Sequence, residues 1–418
     1  MLRTRARGLK GAAASLAALS LILAACGGSD DASDDASDDA SSEEAASEES
    51  SDDASSEEPA SEDSDSVEVT QEGGILAAVQ ARGVLNCGVS GAAVAFSYTQ
   101  ADGSMEGIDA DYCRAVAAAV LGDAEAVEFT ALTAAERFTA VQTGAVDVLM
   151  RNSTWTQSRD TEVGMDFGPT TYYDGQQLMG LSADGFTGSS QVSEIDGATV
   201  CTNAGTTTET NISELAALLG ITITLTTFED YDQVVDAFIA GTCDVITTDG
   251  SGLVGRKAAQ EPNAGDWVIF PATPISKEPL GPVYAQNDSQ WADVVNWTVY
   301  ATLIADENGV TSADVDDALA GDFGPEMARL MGGEGELQTV MGLSADAFYN
   351  VISQVGNYQE IWDANLTPVG LDRTGSANAS WTDGGLMYAP PAPPPPTLCI
   401  FRSISFSSGG ISAWLRHL

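Results

Sequence analysis

The chain has 418 residues, 44% of them hydrophobic, a formal net charge of −46 and six cysteines. That length suits two domains or one bilobed domain with a sizeable core. Sixteen basic residues against 62 acidic ones exclude nucleic-acid binding, since phosphates would be repelled. The only histidine, His417, sits at the carboxyl end. Ser-His-Asp, Cys-His and histidine–metal chemistry are thereby removed from the folded part. Lysine is confined to Lys10, Lys257 and Lys277, and an acid-rich, lysine-poor surface fits a salty habitat.

Residues 1–25 read as a leader. Arg3, Arg5, Arg7 and Lys10 form a positive start, and the apolar run over 11–25 is too short to span a membrane. The run closes in Leu23-Ala24-Ala25-Cys26, which resembles the lipobox of bacterial lipoproteins. The resemblance implies cleavage before Cys26 and a diacylglycerol on its sulfur. Residues 26–66 follow as a tether: 29–65 hold 17 acidic side chains and no basic one. Such a segment buries too little apolar surface to fold, and its like charges extend it. Outside the cytoplasm disulfides persist. Cys87, Cys113, Cys201 and Cys243 lie in the folded region, and pairing by proximity joins Cys87 to Cys113 and Cys201 to Cys243. Four cysteines allow three connectivities, and these spacings fit no usual zinc pattern.

From about Val67 strands and helices alternate. Strands are predicted over 84–89, 127–132 and 146–150, with helices over 109–121 and 134–143. The polar loop Arg151-Asn152-Ser153-Thr154-Trp155-Thr156-Gln157-Ser158-Arg159-Asp160 follows the third strand. Open α/β sheets bind ligands at the carboxyl ends of such strands. A second series places strands over 198–201, 221–228 and 244–247 and helices over 209–219 and 231–240. Alternation of this kind implies parallel sheets covered by helices on both faces. Helices follow over 291–305, 312–319, 325–331 and 344–355. After Pro391 the composition breaks into a proline run with an odd Cys399, so 392–418 reads as a disordered tail.

The two series echo each other. Ala140-x-x-x-Gly144-x-x-Asp147-Val148 matches Ala237-x-x-x-Gly241-x-x-Asp244-Val245, each a helix, a glycine stop and a buried strand. Five residues beyond each aspartate stand Asn152 and Asp249, which are therefore equivalent positions at equivalent strand ends. In the second half, Asn203-Ala204-Gly205-Thr206-Thr207-Thr208-Glu209 runs from a strand into a helix. Hydroxyls and backbone N–H groups at that helix start favour an anion. Thr206 and Glu209 also have the spacing of a capping box. There is no Gly-x-Gly-x-x-Gly fingerprint and no P-loop, and no spacing of carboxylates points to an acid/base pair. A binding protein without cofactor or metal fits these residues better than an enzyme.

Seven stretches together resemble the solute-binding lipoproteins of ABC transporters for polar amino acids, the general L-amino-acid-binding branch of the family 3 proteins. They are Arg137-Phe138-Thr139-Ala140, the loop from Arg151 to Asp160, Tyr172-Tyr173-Asp174-Gly175, Gly205-Thr206-Thr207-Thr208-Glu209, Thr248-Asp249-x-Ser251-Gly252-Leu253, Ile275-Ser276-Lys277-Glu278-Pro279-Leu280-Gly281-Pro282 and Gln354-Val355-Gly356-Asn357-Tyr358. The resemblance implies a type II periplasmic-binding-protein fold, two doubly wound α/β lobes on a two-stranded hinge. Residues 67–391 would hold it, lobe 1 over about 67–178 and 274–391, lobe 2 over about 179–273. It implies that Arg159 takes a ligand α-carboxylate, shared with Thr208, Thr206 and N–H groups of the Gly205 loop, and that Asp249 takes the α-ammonium. Ser153, Thr154 and Asn152 would add polar contacts, Phe96 would pack over the ligand, and Arg137 would reach its side chain. The stretch Gly91-Ala92-Ala93-Val94-Ala95 departs from the family, which usually carries a proline there. Expected partners are a free polar amino acid such as Glu, Gln, Asp or Asn, an ABC permease and, through Cys26, the lipid bilayer. The chain itself would be an extracytoplasmic monomer. The rival readings are an enzyme on the same fold, of the cyclohexadienyl dehydratase type, and a ligand-sensing module.

Overall fold

A computed structural model describes residues 74–161, 164–260, 262–333 and 337–392. The leader, Cys26, the acidic tether, Cys399 and His417 lie outside the described residues.

Short apolar runs bounded by polar turns form the strands, and they assemble into two five-stranded sheets. The first has the order Val127–Ala131, Leu85–Val89, Val148–Leu149, Val283–Ala285, Met165–Phe167. The second has the order Thr224–Phe228, Thr199–Asn203, Val245–Asp249, Gln176–Leu181, Trp267–Phe270. In each sheet the first three strands run parallel. The fourth runs antiparallel to both neighbours, which corrects the expectation of purely parallel sheets. The reason is connectivity. The parallel strands are made by local strand–helix–strand units, whereas each fourth strand arrives from the other sheet.

Those arrivals pass through a two-stranded antiparallel joint, Tyr172–Asp174 against Glu278–Leu280. Gln176–Leu181 follows the first joint strand and Val283–Ala285 follows the second. Every residue of Gln176–Leu181 belongs to the second sheet. At the carboxyl end of the described residues, Ala392 is 3% exposed and donates its N–H to Glu326 at 2.7 Å.

The echoed aspartates do the same work in both sheets. Asp147 accepts the N–H of Asn86 at 2.7 Å, and Asp244 accepts the N–H of Thr199 at 2.7 Å. Each carboxylate ties the start of one parallel strand to its neighbour. Trp291, fully buried, donates its indole N–H to the Asp147 carbonyl at 2.9 Å. It thereby seats the long helix Ser289–Glu307 on the first sheet. Helix Ile108–Leu121 is buried on most of its circumference, and its run of alanines lets neighbours approach closely. It stops at Gly122, whose φ of 75° allows its N–H to return to Ala118. Among the described residues no helix is long and apolar enough to cross a membrane.

Cys87 is bonded to Cys113 and Cys201 to Cys243, with Cα–Cα distances of 6.0 and 5.9 Å. Each bond lies within one sheet's lobe and fixes a parallel strand, Leu85–Val89 to the helix Ile108–Leu121 and Thr199–Asn203 to the turn after the helix Tyr231–Ile239. They close loops of 26 and 42 residues, and each is expected to contribute ~3–4 kcal/mol by restricting the unfolded chain. Replacing Cys201 and Cys243 together by serine should therefore lower the unfolding free energy by about that amount, read from the urea midpoint.

Candidate functional site

The loops after the parallel strands of both sheets converge on one cavity of ≈ 220 Å³. The first lobe contributes Ser90, Ala92 to Val94, Ala131 to Thr133, Arg137, Arg151, Asn152 and Thr154, and the second contributes Asn203, Thr206 to Thr208, Glu229 to Tyr231, Thr248, Asp249, Gly252 and Arg256. The site thus lies outside the carboxyl ends of strands in two facing open sheets.

The loop beginning at Arg151 is fixed from three directions. Asp109, in the first turn of helix Ile108–Leu121, accepts the Asn152 N–H at 2.8 Å. Trp155 donates its N–H to Pro279 in the joint at 2.9 Å. Arg151 donates its Nε–H to the Leu132 carbonyl at 2.9 Å. These ties hold Asn152 at a φ of 28°, a strained value for a residue with a Cβ. Its amide then meets Asp249 across the cleft, Nδ2 to Oδ2 3.4 Å. The two positions equated by the internal echo are the ones that touch.

Other contacts cross the same cleft. Thr154 and Thr207 hydroxyls lie 3.4 Å apart. Arg256 donates to Asp232 in its own lobe and to the Ala92 carbonyl in the other. Gly255 packs closely beside it: a Cβ there would stand 3.1 Å from the Val94 carbonyl oxygen, a tight contact.

Of the residues expected in the site, Arg137, Asn152, Thr154, Thr206, Thr208 and Asp249 line the cavity. Arg159 stands just behind the wall, 8% exposed, donating to the Thr154 carbonyl at 2.9 Å with its guanidinium over the Phe138 ring. Ser153 is fully buried and turns its hydroxyl back to the Arg151 carbonyl at 3.0 Å. Gly205 makes the turn with a φ of 70°, but its N–H is taken by Glu209 at 2.7 Å. The capping box is correspondingly shifted: Thr206 accepts from Glu209 N–H, while the Glu209 carboxylate reaches Gly205 rather than Thr206. Phe96 does not line the cavity. Ala95 adopts a φ of 70°, and the chain turns Phe96 inward, edge-on to Tyr172 at 5.3 Å. Ala92, Ala93 and Val94 form the wall in its place.

Sequence reasoning passed over Arg151, Tyr231 and Arg256. The strand-end rule applied to Thr224–Phe228 points to Glu229, Asp230 and Tyr231. Arg256 lies seven residues after Asp249, two helical turns on, with Gly252 and Gly255 between them.

The electrostatics of the wall are unusual. Arg137, Arg151 and Arg159 are 3%, 8% and 8% exposed, and none has a carboxylate within 4.0 Å among the described residues. Arg82, Arg256 and Arg373 each have one and Arg114 has two. Burial, reinforced by Arg151 and Arg159, pushes Arg137 well below its ordinary value. Burial pushes Arg151 down to about 10, against the pull of Asp109. A guanidinium keeps its proton in a protein, so these directions mark a desolvation cost that an anion would offset. Burial, with Asp174 and Glu278 nearby, holds Asp249 well above the carboxylate range. The Nε of Arg137, the Oδ1 of Asn152 and the hydroxyl of Tyr231 are buried without hydrogen-bond partners. A cavity lined by both charge signs and by orphaned polar atoms is suited to a small ligand that carries both signs itself.

Comparison with known proteins places this geometry. The family description "Bacterial extracellular solute-binding proteins, family 3" matches residues 85–301. The chain is 46% identical to a glutamate/glutamine/aspartate/asparagine-binding protein of Rhodobacter capsulatus, over 75% of this chain and 91% of the relative. It is 42% identical to a general L-amino acid-binding periplasmic protein of Rhizobium johnstonii, over 76% of this chain and 92% of the relative. An ABC transporter/periplasmic binding protein of Brucella ovis, solved with glutathione bound, superposes with a TM-score of 0.72 and 42% identity. That match covers 76% of this chain and 99% of the other.

Asp109 offers a test of the loop's anchoring. Burial raises its carboxyl from 3.8 to about 6, against the Asn152 N–H and Arg151. Its contribution to stability is therefore full below about pH 4 and lost as pH rises through 6. Denaturant midpoints from pH 4 to 7 should show Asp109→Asn lacking this falling limb, a difference of up to ~3 kcal/mol across the range.

Proposed function

The chain belongs to the bacterial extracellular solute-binding proteins, family 3, and we propose that it captures free L-amino acids outside the cytoplasm for a membrane ABC permease. It is a binding component and not an enzyme; transport energy is supplied elsewhere in such systems. The observation that carries the reading is a cavity with buried guanidiniums in one wall and the buried Asp249 carboxylate in the other.

In this reading Asp249 and the unpartnered Asn152 Oδ1 receive the α-ammonium. Arg159, on which Glu278 and Asp249 both act, receives the α-carboxylate in the bidentate manner suited to guanidinium. Thr154, Thr206 and Thr208 contribute hydroxyls from both lobes, and Arg137 faces the ligand side chain. The substrates are polar amino acids, among them glutamate, glutamine, aspartate and asparagine. A ligand that bonds to both lobes favours their approach and so shifts a hinge equilibrium toward the form the permease receives. The Cys26 lipid and acidic tether hold a monomeric domain at the outer face of the membrane.

The glutathione-bound relative supports a second reading, because a γ-glutamyl end presents the same ammonium and carboxylate pair. Calorimetric titration with the standard amino acids and with glutathione separates the two. Labelled amino acid should be released chemically unchanged; conversion to product would favour the dehydratase-like alternative. Arg159→Ala and Asp249→Ala should each weaken amino-acid binding at least ~100-fold with the circular dichroism spectrum retained. Unchanged affinity in either variant removes that residue from the clamp. Arg137→Ala should weaken glutamate and glutamine more than alanine, and an equal loss on all three overturns its side-chain role.

A further inference from the structure

The cavity has two electrically different ends. Near the joint, Asp174, Asp249 and Glu278 act on one another, with Arg159 as the cation among them. Glu278 is 1% exposed and is satisfied by the Thr207 and Ser276 hydroxyls and the Asn211 amide. At the other end stand Arg137 and Arg151. The buried carboxylates that act on them are Asp109 and Asp249; Asp109 accepts from the Asn152 N–H, Asp249 faces the Asn152 amide and on the reading above is taken by the ligand ammonium, and both lie beyond ion-pair distance of either guanidinium. Glu229 and Asp230 also line this region, but both are exposed and screened by solvent, and Asp230 caps a helix.

An amino acid held by Asp249 and Arg159 uses its two α-charges at the joint end. What remains is a pair of buried guanidiniums. Arg151 commits Nε to Leu132 and still lines the cavity, and the Nε of Arg137 is buried with no partner. Both side chains donate and cannot accept. A carboxylate only accepts, so it satisfies both and supplies the missing negative charge. An amide brings two N–H donors of its own against a wall of donors and supplies no charge. An aliphatic side chain leaves both cations unmatched in a desolvated site.

We propose that Arg151, together with Arg137, makes this site selective for amino acids bearing a second carboxylate, so that the preferred ligand is an acidic amino acid of net negative charge. The assignment rests on the amino-acid-binding reading above, and it gives Arg151 the discriminating role between acid and amide.

The test is calorimetric titration of the wild type, Arg151→Met and Arg151→Lys with L-glutamate and L-glutamine. The wild type should bind glutamate ~10-fold or more tighter than glutamine. Arg151→Met should lower that ratio at least ~10-fold, by losing glutamate far more than glutamine. Arg151→Lys, which keeps the charge but not the fork, should retain part of the preference. The double variant Asp109→Asn/Arg151→Met removes Arg151 together with the buried Asp109 carboxylate and should show the same collapsed ratio if the single variant does not fold. Equal losses on glutamate and glutamine overturn the proposal, as does a wild type that binds glutamine as tightly as glutamate. A wild type that binds no amino acid overturns the underlying reading and the proposal with it. That failure is recognised because it precedes any substitution.

Discussion

Three guanidiniums buried without ion pairs among the described residues, in a chain of net charge −46, are the constraint on which the rest of the site depends. Acidic residues are abundant enough to neutralise every cation, and four other arginines are neutralised in this way. Leaving Arg137, Arg151 and Arg159 unmatched costs free energy in a low-dielectric interior. The fold tolerates it through fixed geometry: Arg151 and Arg159 are held by backbone carbonyls, and Arg137 and Arg159 share the face of Phe138. A site prepared in this way discriminates by what it lacks. It gains most from the ligand that completes its charge balance.

Much of this was legible in the sequence because the two lobes repeat one local grammar. A helix, a glycine, an aspartate and a short apolar run are all local signals. The aspartates at 147 and 244 make the same bond to the neighbouring strand. Counting from them also located the Asn152–Asp249 contact without any family knowledge. What was not legible depended on distant backbone. Nothing within Gln176–Leu181 distinguishes an antiparallel strand from a parallel one; the direction is imposed by the joint before it. Phe96 faces the core because Ala95 takes a left-handed conformation, which no side-chain pattern announces. Gly205 had the right position for an anion site, yet Glu209, four residues on, competes for its N–H.

The joint is more than a connector. Glu278 sits in one of its strands and binds Thr207 and Asn211 of the second lobe, while Asp174 in the other strand binds Ser251. The Arg151 loop is tied to the same joint through Trp155 and Pro279. Movement of either lobe about these strands therefore displaces polar groups that border the cavity. The joint and both walls of the cavity are thus linked through hydrogen bonds a few residues long.

The disulfides have a consequence for how the protein is made. Each joins cysteines that are consecutive in the folded chain, and the first pair precedes the second entirely. A chain emerging amino-end first into an oxidising space exposes Cys87 and Cys113 before Cys201 appears. Oxidation in order of emergence thus yields the native pairing directly, with neither Cys201 nor Cys243 present at the moment the first bond forms and the Cys26 sulfur taken up by lipid in the proposed reading. Reshuffling, which takes seconds to hours when required, is avoided by the order of the sequence itself.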